Sequence, residues 1–551
     1  MITDELAVVV RDALRAAAAA GELDWSDEQD PEFERPRRRE HGDWATNIAL
    51  ALATGGGNPR SIARSIIDHL PVNELVDSVE VAGPGFLNFR LSAAWLHDVV
   101  KGAADEGSKF GTSSRGAGRK VNVEYVSANP TGPTTVVLGR HAAVGDAIVN
   151  LLRKTGHEVV REYYFNDAGR QVLLFAESVG VRYLERFDVE GEIPEEGYRG
   201  DYVTDLAAEI ADDVGDSLVA LPSEERIEKI RQLAVPRMMD RIRTSLERFG
   251  TTFDVWFMEA TLHERGEVQA AIEKLRAKGL IEERDGATWF RSSEFGDDKD
   301  RVVIKANGDT TYFAADLGYL LDKAQRGFER LVYVWGADHH GTVPRLLAAA
   351  DALDIGRDKI EVPLIQIVTL LRGGEAMKGS KRAGVLVALD ELLDEVGVDA
   401  ARYTFLTRST DAPLEFDIEA VTEQAPENPV YYVQYAHARI SSIVTKAAAE
   451  GHAPDAQAAL YRLTEPAEDQ LMRKLASYEE VIDDAAAQRA PQRITRFVEE
   501  LAADFSAFYR DCRVVTDDGE LTVARLTLCV ATKRVIADGL AILGVSAPER
   551  M

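Results

Sequence analysis

Between Lys120 and Phe165 the chain reads "KVNVEYVSANPTGPTTVVLGRHAAVGDAIVNLLRKTGHEVVREYYF". Lys120–Ser127 alternates apolar and polar residues as a strand does, and His157–Phe165 reads as a second strand. Between them, Asn129-Pro130-Thr131-Gly132-Pro133 makes a stiff loop, and Arg140–Lys154 carries a helical pattern. A strand, a helix and a strand in that order cross over one face of a sheet, so the two strands run parallel. The same order returns as a strand at Arg330–Gly336, a helix at Gly341–Leu353 and a buried strand at Val362–Leu371. Two such halves predict a doubly wound, Rossmann-type parallel sheet, interrupted by an insertion at about Val172 to Trp289.

The flanking regions read differently. Residues 1–112 combine helical patterning at Leu6–Ala20 and Ser61–Leu70 with a strand-like stretch at Val79–Ser92, an α+β unit. Glu106 to Gly118 is rich in Gly and Ser and reads as a linker. From about Asn428 no strand pattern recurs, which predicts a helix bundle. The expected fold is multidomain, α/β plus α: an N-terminal domain over 1–112, the doubly wound domain over 118–425, and the bundle over 426–551.

A net charge of −29 comes from 93 acidic against 64 basic residues, spread along the chain rather than gathered in a tail. Such a surface suits a cytoplasm of very high salt, where screening removes self-repulsion; an ordinary acidic protein is the alternative. A polyanionic partner has to be met by local basic patches, and Arg37, Arg38 and Arg39 are one of the few. No signal peptide or membrane span is apparent, and the two cysteines lack metal-ligand spacing. A cytoplasmic protein without membrane contact is expected.

Ligands of an open α/β sheet bind beyond the carboxyl ends of its strands, where the loop 129–133 lies. Gly132 lets backbone approach a ligand, and the helix that follows offers free N–H groups to an anion; a structural loop is the bland alternative. The sequence is neither Gly-x-Gly-x-x-Gly nor a phosphate loop ending in Gly-Lys-Ser/Thr. A second Gly-rich segment, "GGEAMKGSKRAG", places Lys378, Lys381 and Arg382 after a buried strand. Cations on a loop suit a polyphosphate whose charge grows in the transition state, although a solvated basic turn has the same composition.

Taken with "EHGDWATNIALALA", "VEYVSANPTGP", "YYFNDAGRQ", "TTYFAADLGYLLDK", "VWGADHHGTVPRL" and "NPVYYVQYAHARI", these segments resemble the class I aminoacyl-tRNA synthetases, and among them the arginyl-tRNA synthetases. The similarity covers nearly the whole chain. It implies ATP-dependent joining of L-arginine to tRNA(Arg) through arginyl-adenylate, with Mg²⁺ carried by ATP rather than by a protein site, and a monomer. A halophilic archaeal source is expected from the charge. The family's second signature falls on Lys378-Gly379-Ser380-Lys381-Arg382, which the resemblance makes catalytic. Its first, His-Ile-Gly-His, falls on Thr135-Val136-Val137-Leu138, where both histidines and the glycine are absent. That departure keeps open a second reading, an impaired paralogue that binds tRNA as a regulator.

By the same resemblance, ATP falls to Pro130, Thr131, Gly132, Pro133, Thr135, Leu138, Arg140 and His339. Guanidinium has five N–H donors and no lone pair, so its reader needs acceptors. Glu124 and Asp316 are matched to that task, Tyr312 to lining the pocket, and Ser127 and Asn129 to the α-amino and carboxylate end. Tyr312 and Asp316, one helical turn apart, share a face. Asp338-His339-His340 is not expected to bind zinc, because adjacent histidines diverge. For the tRNA, Arg37 and Arg38 are candidates for the backbone. Tyr435 and Arg439, on a stripe with Tyr431 and Gln434, are candidates for unpaired bases.

Overall fold

The computed structural model describes residues 2–551 except 27, 28, 37, 168 and 378–386; it also leaves the side chains at 39, 55 and 108 undescribed. At the N-terminus, β1 (Phe33–Glu34), β2 (Trp44–Thr46), β3 (Val76–Ala82) and β4 (Phe86–Leu91) form an antiparallel sheet in the order β1-β2-β4-β3. The helices Ile2–Ala19 and Pro59–Asp68 close its core around Leu6, Val10, Ile66 and Phe89. Asn58 starts the second helix: its side chain accepts from Arg60 N, and Pro59 follows at the first helical position.

The next helix, Ala93–Glu106, leaves that domain. Its buried stripe of Leu96, Val100 and Ala103 packs on the last helix of the chain, Gly519–Leu543, and shares the large central core. Phe110 continues the seam by stacking on Tyr478, ring centroids 6.2 Å apart. The stretch read as a linker, Glu106 to Gly118, thus starts on the end of this helix and a 3-10 turn at Gly107–Lys109, and it is docked through Phe110.

The central sheet consists of β5 (Lys120–Tyr125), β6 (Glu158–Phe165), β7 (Val255–Met258), β11 (Arg330–Gly336) and β12 (Ile360–Glu361). They lie in the order β12-β11-β5-β6-β7, all parallel, with the short β13 (Leu364–Ile365) also on β11. The winding reverses between β5 and β11, so the switch point of this doubly wound sheet lies between their carboxyl ends. Two expectations change. The region read as an insertion holds β7, a full member of the sheet, as well as the helices Asp201–Val214 and Ser223–Arg248. Val362–Leu371 is not one strand: the chain breaks after β13, and Val368–Arg372 (β14) joins a separate small sheet with Glu375–Ala376 (β15) and Leu414–Asp417 (β16). Ile281–Arg284 (β8), Ala287–Phe290 (β9) and Arg301–Ile304 (β10) make a three-stranded appendage.

Each face of the sheet is covered. Val332 and Val334 of β11 enter the core shared with the helix Val136–Lys154, while Leu331 and Tyr333 enter the one under the helices Tyr312–Gln325 and Val343–Ala352. On β5 the same alternation puts Val121, Val123 and Tyr125 on the first face, but Asn122 and Glu124 on the second. A central parallel strand is ordinarily apolar on both faces, so a carboxylate here is an anomaly that demands partners. The helix Val136–Lys154 crosses β5 so closely that any side chain at Gly145 would strike the Tyr125 ring.

From Asn428 onward every regular element is a helix, as expected. Buried Arg402 ties this bundle to the sheet domain: its guanidinium pairs with Asp146 at 2.5 Å and donates to the carbonyls of Leu543 and Phe249.

Candidate active site

A cavity of about 960 Å³ opens at the switch point, between the carboxyl ends of β5 and β11. Its entrance from β5 is strained. Val126 has φ 70° and Ser127 φ 40°, and Ser127 N donates to Tyr125 O across a single residue, a tight γ-turn of the rare positive-φ kind. A β-branched residue at such a φ costs about 1–3 kcal/mol. The turn swings Ser127, Ala128 and Asn129 into the cavity wall, and the hydroxyls of Tyr163 and Ser127 fasten it to β6.

One end of the cavity is rich in carboxylates. Asp316, on the helix Tyr312–Gln325, opens into it with no hydrogen-bond or ion-pair partner among the described residues. Its side chain is exposed to the open cavity, yet the walls crowding round that end desolvate it, and this is the main cause that pushes its carboxyl up to about 7. Arg345 pulls the other way, while Glu259 and Glu124 add to the rise. Tyr164 stands among all three acids and donates to Glu259 at 2.7 Å. Burial raises the Glu259 carboxyl too. Glu124 lines the floor and pairs with buried Lys323 at 2.5 Å. Arg345 also lines the cavity, 5.3 Å from the Phe313 ring centroid, with a buried Nε that has no acceptor among the described residues.

The other end is apolar. Val137 and Leu138 line it together with Ile367 and Val368. Thr135 caps the helix by accepting from Leu138 N, so its hydroxyl supports the fold. One turn on, His141 reaches the cavity; burial holds its imidazole neutral at about 4, with Asp338 opposing and Arg140 and His339 reinforcing. His339 lines the wall beside Trp335, ring centroids 5.8 Å apart.

Among the residues singled out from the sequence, Glu124, Ser127, Asn129, Leu138, Asp316 and His339 meet in this cavity. Others lie elsewhere. Pro130, Thr131, Gly132 and Pro133 do not reach its wall: the loop turns toward Tyr202, whose hydroxyl donates to Thr131 O at 3.0 Å. Arg140 is no nucleotide ligand here. Its guanidinium is buried and donates to the carbonyls of Gln366, Ser409 and Ala412, and burial lowers its pKa to about 10. Tyr312 is 60% exposed and lies against Gly169 instead. Lys378, Ser380, Lys381 and Arg382 fall outside the described residues, but the chain ends bracketing them are fixed. Met377 N donates to Leu370 O, and Val387 O accepts from Val136 N at 3.3 Å, so the described chain resumes at Val387 beside the first signature.

For the tRNA candidates, Arg37 is not described and Arg38 is exposed, 3.3 Å from Glu40. Arg439 donates to Tyr435 at 2.6 Å and stacks over its ring and that of Tyr509, with Tyr431 parallel beside them. Gln434 drops out of the stripe, buried on Asp399 and Ser546. Among the described residues no three His, Cys, Asp or Glu side chains converge as a metal would need. Sequence reading did not find Tyr164, Glu259 or Arg345. The one available signal was alternation on β6, which sends Tyr163 and Phe165 into one core and puts Tyr164 on the face shared with Glu162.

Comparison with known proteins agrees with this architecture. Family models match for the arginyl tRNA synthetase N-terminal domain at residues 4–91, the catalytic domain of class I (R) tRNA synthetases at 102–444, and the DALR anticodon binding domain at 433–551. The arginine–tRNA ligase of Carboxydothermus hydrogenoformans is 45% identical over 100% of this chain and 99% of its own length. That of Geobacillus kaustophilus is 43% identical over 100% of both. The Thermus thermophilus arginyl-tRNA synthetase structure has the same fold, with a TM-score of 0.77 across all of both chains at 23% identity. These relatives are bacterial, which lends no support to an archaeal source. The chain belongs to the arginyl-tRNA synthetase family of class I aminoacyl-tRNA synthetases.

Proposed function

We propose that this chain joins L-arginine to tRNA(Arg), using ATP. The observation that carries the reading is Asp316: a carboxylate without a partner among the described residues, in a cavity lined also by Glu124 and by Tyr164, behind which lies Glu259. A cation with several N–H donors satisfies that end, and guanidinium has the geometry. Ser127 and Asn129, on the strained turn, face the α-amino and carboxylate end of the amino acid. The carboxylate then attacks the α-phosphorus of ATP, pyrophosphate leaves, and the 2′-hydroxyl of the terminal tRNA adenosine takes the arginyl group. No protein nucleophile takes part; positioning and charge stabilisation do the work.

At the apolar end, His141 and His339 are the imidazoles that face the nucleotide, and Lys378, Ser380, Lys381 and Arg382 are the groups we assign to its phosphates. Mg²⁺ belongs to ATP in this scheme, and no step is routed through protein ligands. Tyr435 and Arg439, joined by Tyr509, form the base-stacking face for tRNA, and Arg38 a backbone contact. We carry forward the division into 1–112, 118–425 and 426–551, a monomer, and residence in the cytoplasm; no described helix is long and apolar enough to cross a membrane. The regulator reading is not favoured, because relatives at 43–45% identity match along the full chain and are ligases.

Charging of total tRNA with labelled arginine, in dilute and in molar KCl, tests the proposal. Arginylation of tRNA is expected, and it should persist or rise in molar KCl if the charge of −29 is an adaptation to salt. Binding of tRNA without charging in either condition overturns the enzyme reading.

A further inference from the structure

Behind the floor of the cavity, buried under Glu124, Tyr319 and Tyr333, lies a cation that the proposed chemistry does not use. Lys323 is fully buried, its ammonium 2.5 Å from Glu124 Oε2 and 4.3 and 4.0 Å from the ring centroids of Tyr319 and Tyr333. An ammonium so enclosed, with one carboxylate and two π faces around it, has lost its water and is expensive to keep unless its placement serves something.

Its surroundings are ordered as a row. Glu162, Glu124 and Tyr333 are lateral neighbours on β6, β5 and β11, and the helix Tyr312–Gln325 lies over them with Asp316, Tyr319 and Lys323 at successive turns. The two glutamates are treated differently. Glu162 is saturated: it accepts from both Nη atoms of Arg326, from the Tyr319 hydroxyl and from Asn122. Arg326, Lys323 and Tyr319 hold its carboxyl below the usual range although burial pushes it up. That is structural wiring. Glu124 accepts only from Lys323, through Oε2, and it lines the cavity; Tyr333, its neighbour there, has a buried hydroxyl without a partner among the described residues.

We propose that Lys323 is a positioning residue for substrate selection: it fixes Glu124 by one oxygen so that the other stays turned to the cationic amino acid. The inference rests on the arginine reading of this site. Lys323 also offsets part of the acidic charge around the cavity, so that Glu124 and Asp316, the two carboxylates that line it, can both face the substrate. Without it, Glu124 is a free carboxylate beside two others, able to turn toward the substrate's place or away from it.

The test compares Lys323→Met, Lys323→Arg, Glu124→Gln and the double variant Lys323→Met/Glu124→Gln in the full-length protein. Calorimetric binding of L-arginine and arginine-dependent charging are both read. Lys323→Met should raise KM and Kd for arginine by roughly 10- to 100-fold, the cost of a lost charge-assisted hydrogen bond, while KM for ATP changes less than about threefold. Lys323→Arg should recover most of the loss. The double variant buries no uncompensated charge, so it folds even where the single one does not. In the Glu124→Gln background, Lys323→Met should change arginine binding by no more than about twofold, because its effect passes through Glu124. Equal losses for arginine and ATP, or a full additional loss in the double variant, overturn the positioning role. A parent protein that binds no arginine instead overturns the functional reading, and this inference with it.

Discussion

The two ends of the cavity lie against the same parallel sheet, and they differ in what their side chains still have to give. At the carboxylate end, among the described residues, Asp316 has no partner and Glu124 accepts a single hydrogen bond. At the nucleotide end, Thr135 is committed to its helix cap, Arg140 to three backbone carbonyls, and Val137 and Leu138 have no donors at all. The amino-acid half keeps unmet hydrogen-bonding capacity, which is what recognition requires. At the other half, the described side chains with polar groups still facing the cavity are His141 and His339, the imidazoles proposed above to meet the nucleotide. Family membership alone does not reveal this asymmetry.

The largest expected effect attacks the nucleotide end. Thr135→His with Val137→Gly and Leu138→His restores two donors and opens room at the helix start. One recovered donor to a developing charge is worth about 3 kcal/mol, so pyrophosphate release dependent on arginine and tRNA should rise by up to about a hundredfold. The lost cap and the new glycine each cost about 1 kcal/mol of stability, which a chain of this size tolerates. Unchanged or slower turnover would mean that His141 and His339 already serve, and that the apolar signature is a working solution.

Next comes the carboxylate end. Asp316→Asn keeps the shape and removes the charge, and should weaken arginine use by about 1.5–3 kcal/mol with ATP affinity nearly unchanged. Equal losses for both ligands would erase the division between the two ends and make Asp316 a support of the fold.

The smallest effect is on pH. Guanidinium needs Asp316 ionised, and in the free cavity that carboxyl titrates near 7. Arginine affinity should therefore fall about tenfold from pH 8 to pH 6 and level off above 8. Stability runs the other way. Because the folded value is raised above the unfolded one, this group favours the folded chain fully below about pH 4, and that contribution is lost as pH climbs through 7. Bound arginine should cancel the loss. Titration calorimetry at several pH values reads the affinity, and a pH-independent Kd would show that Asp316 is already charged in the free protein.

Much of this was visible in the residues. The period of two on β5 and β6, and the Gly- and Pro-marked turn between them, gave the sheet and its switch point, whereas Glu124 was reached through the family resemblance, since a strand glutamate alone reads as solvent-facing. What escaped depended on distance in sequence. Val255–Met258 is four residues long inside a helical region, too short for periodicity to mark it as a strand of the main sheet. Pro363 and Gln366 break what reads as one apolar run, and Gln366 O is an acceptor for Arg140, a pairing across more than two hundred residues that no local pattern encodes. Glu259 and Arg345 look like ordinary surface charges until Tyr164 and Asp316 are placed beside them.

The docking of Ala93–Glu106 on the final helix has a consequence in time. The partner of this apolar stripe is synthesised about 400 residues later, and at bacterial-like elongation rates the ribosome needs roughly 20–80 s to reach it. Throughout that interval Leu96, Val100 and Ala103 wait uncovered on a nascent chain whose first ninety residues already have a core of their own. Birth of this protein thus includes a waiting period set by gene length, during which a trigger-type chaperone has something definite to hold.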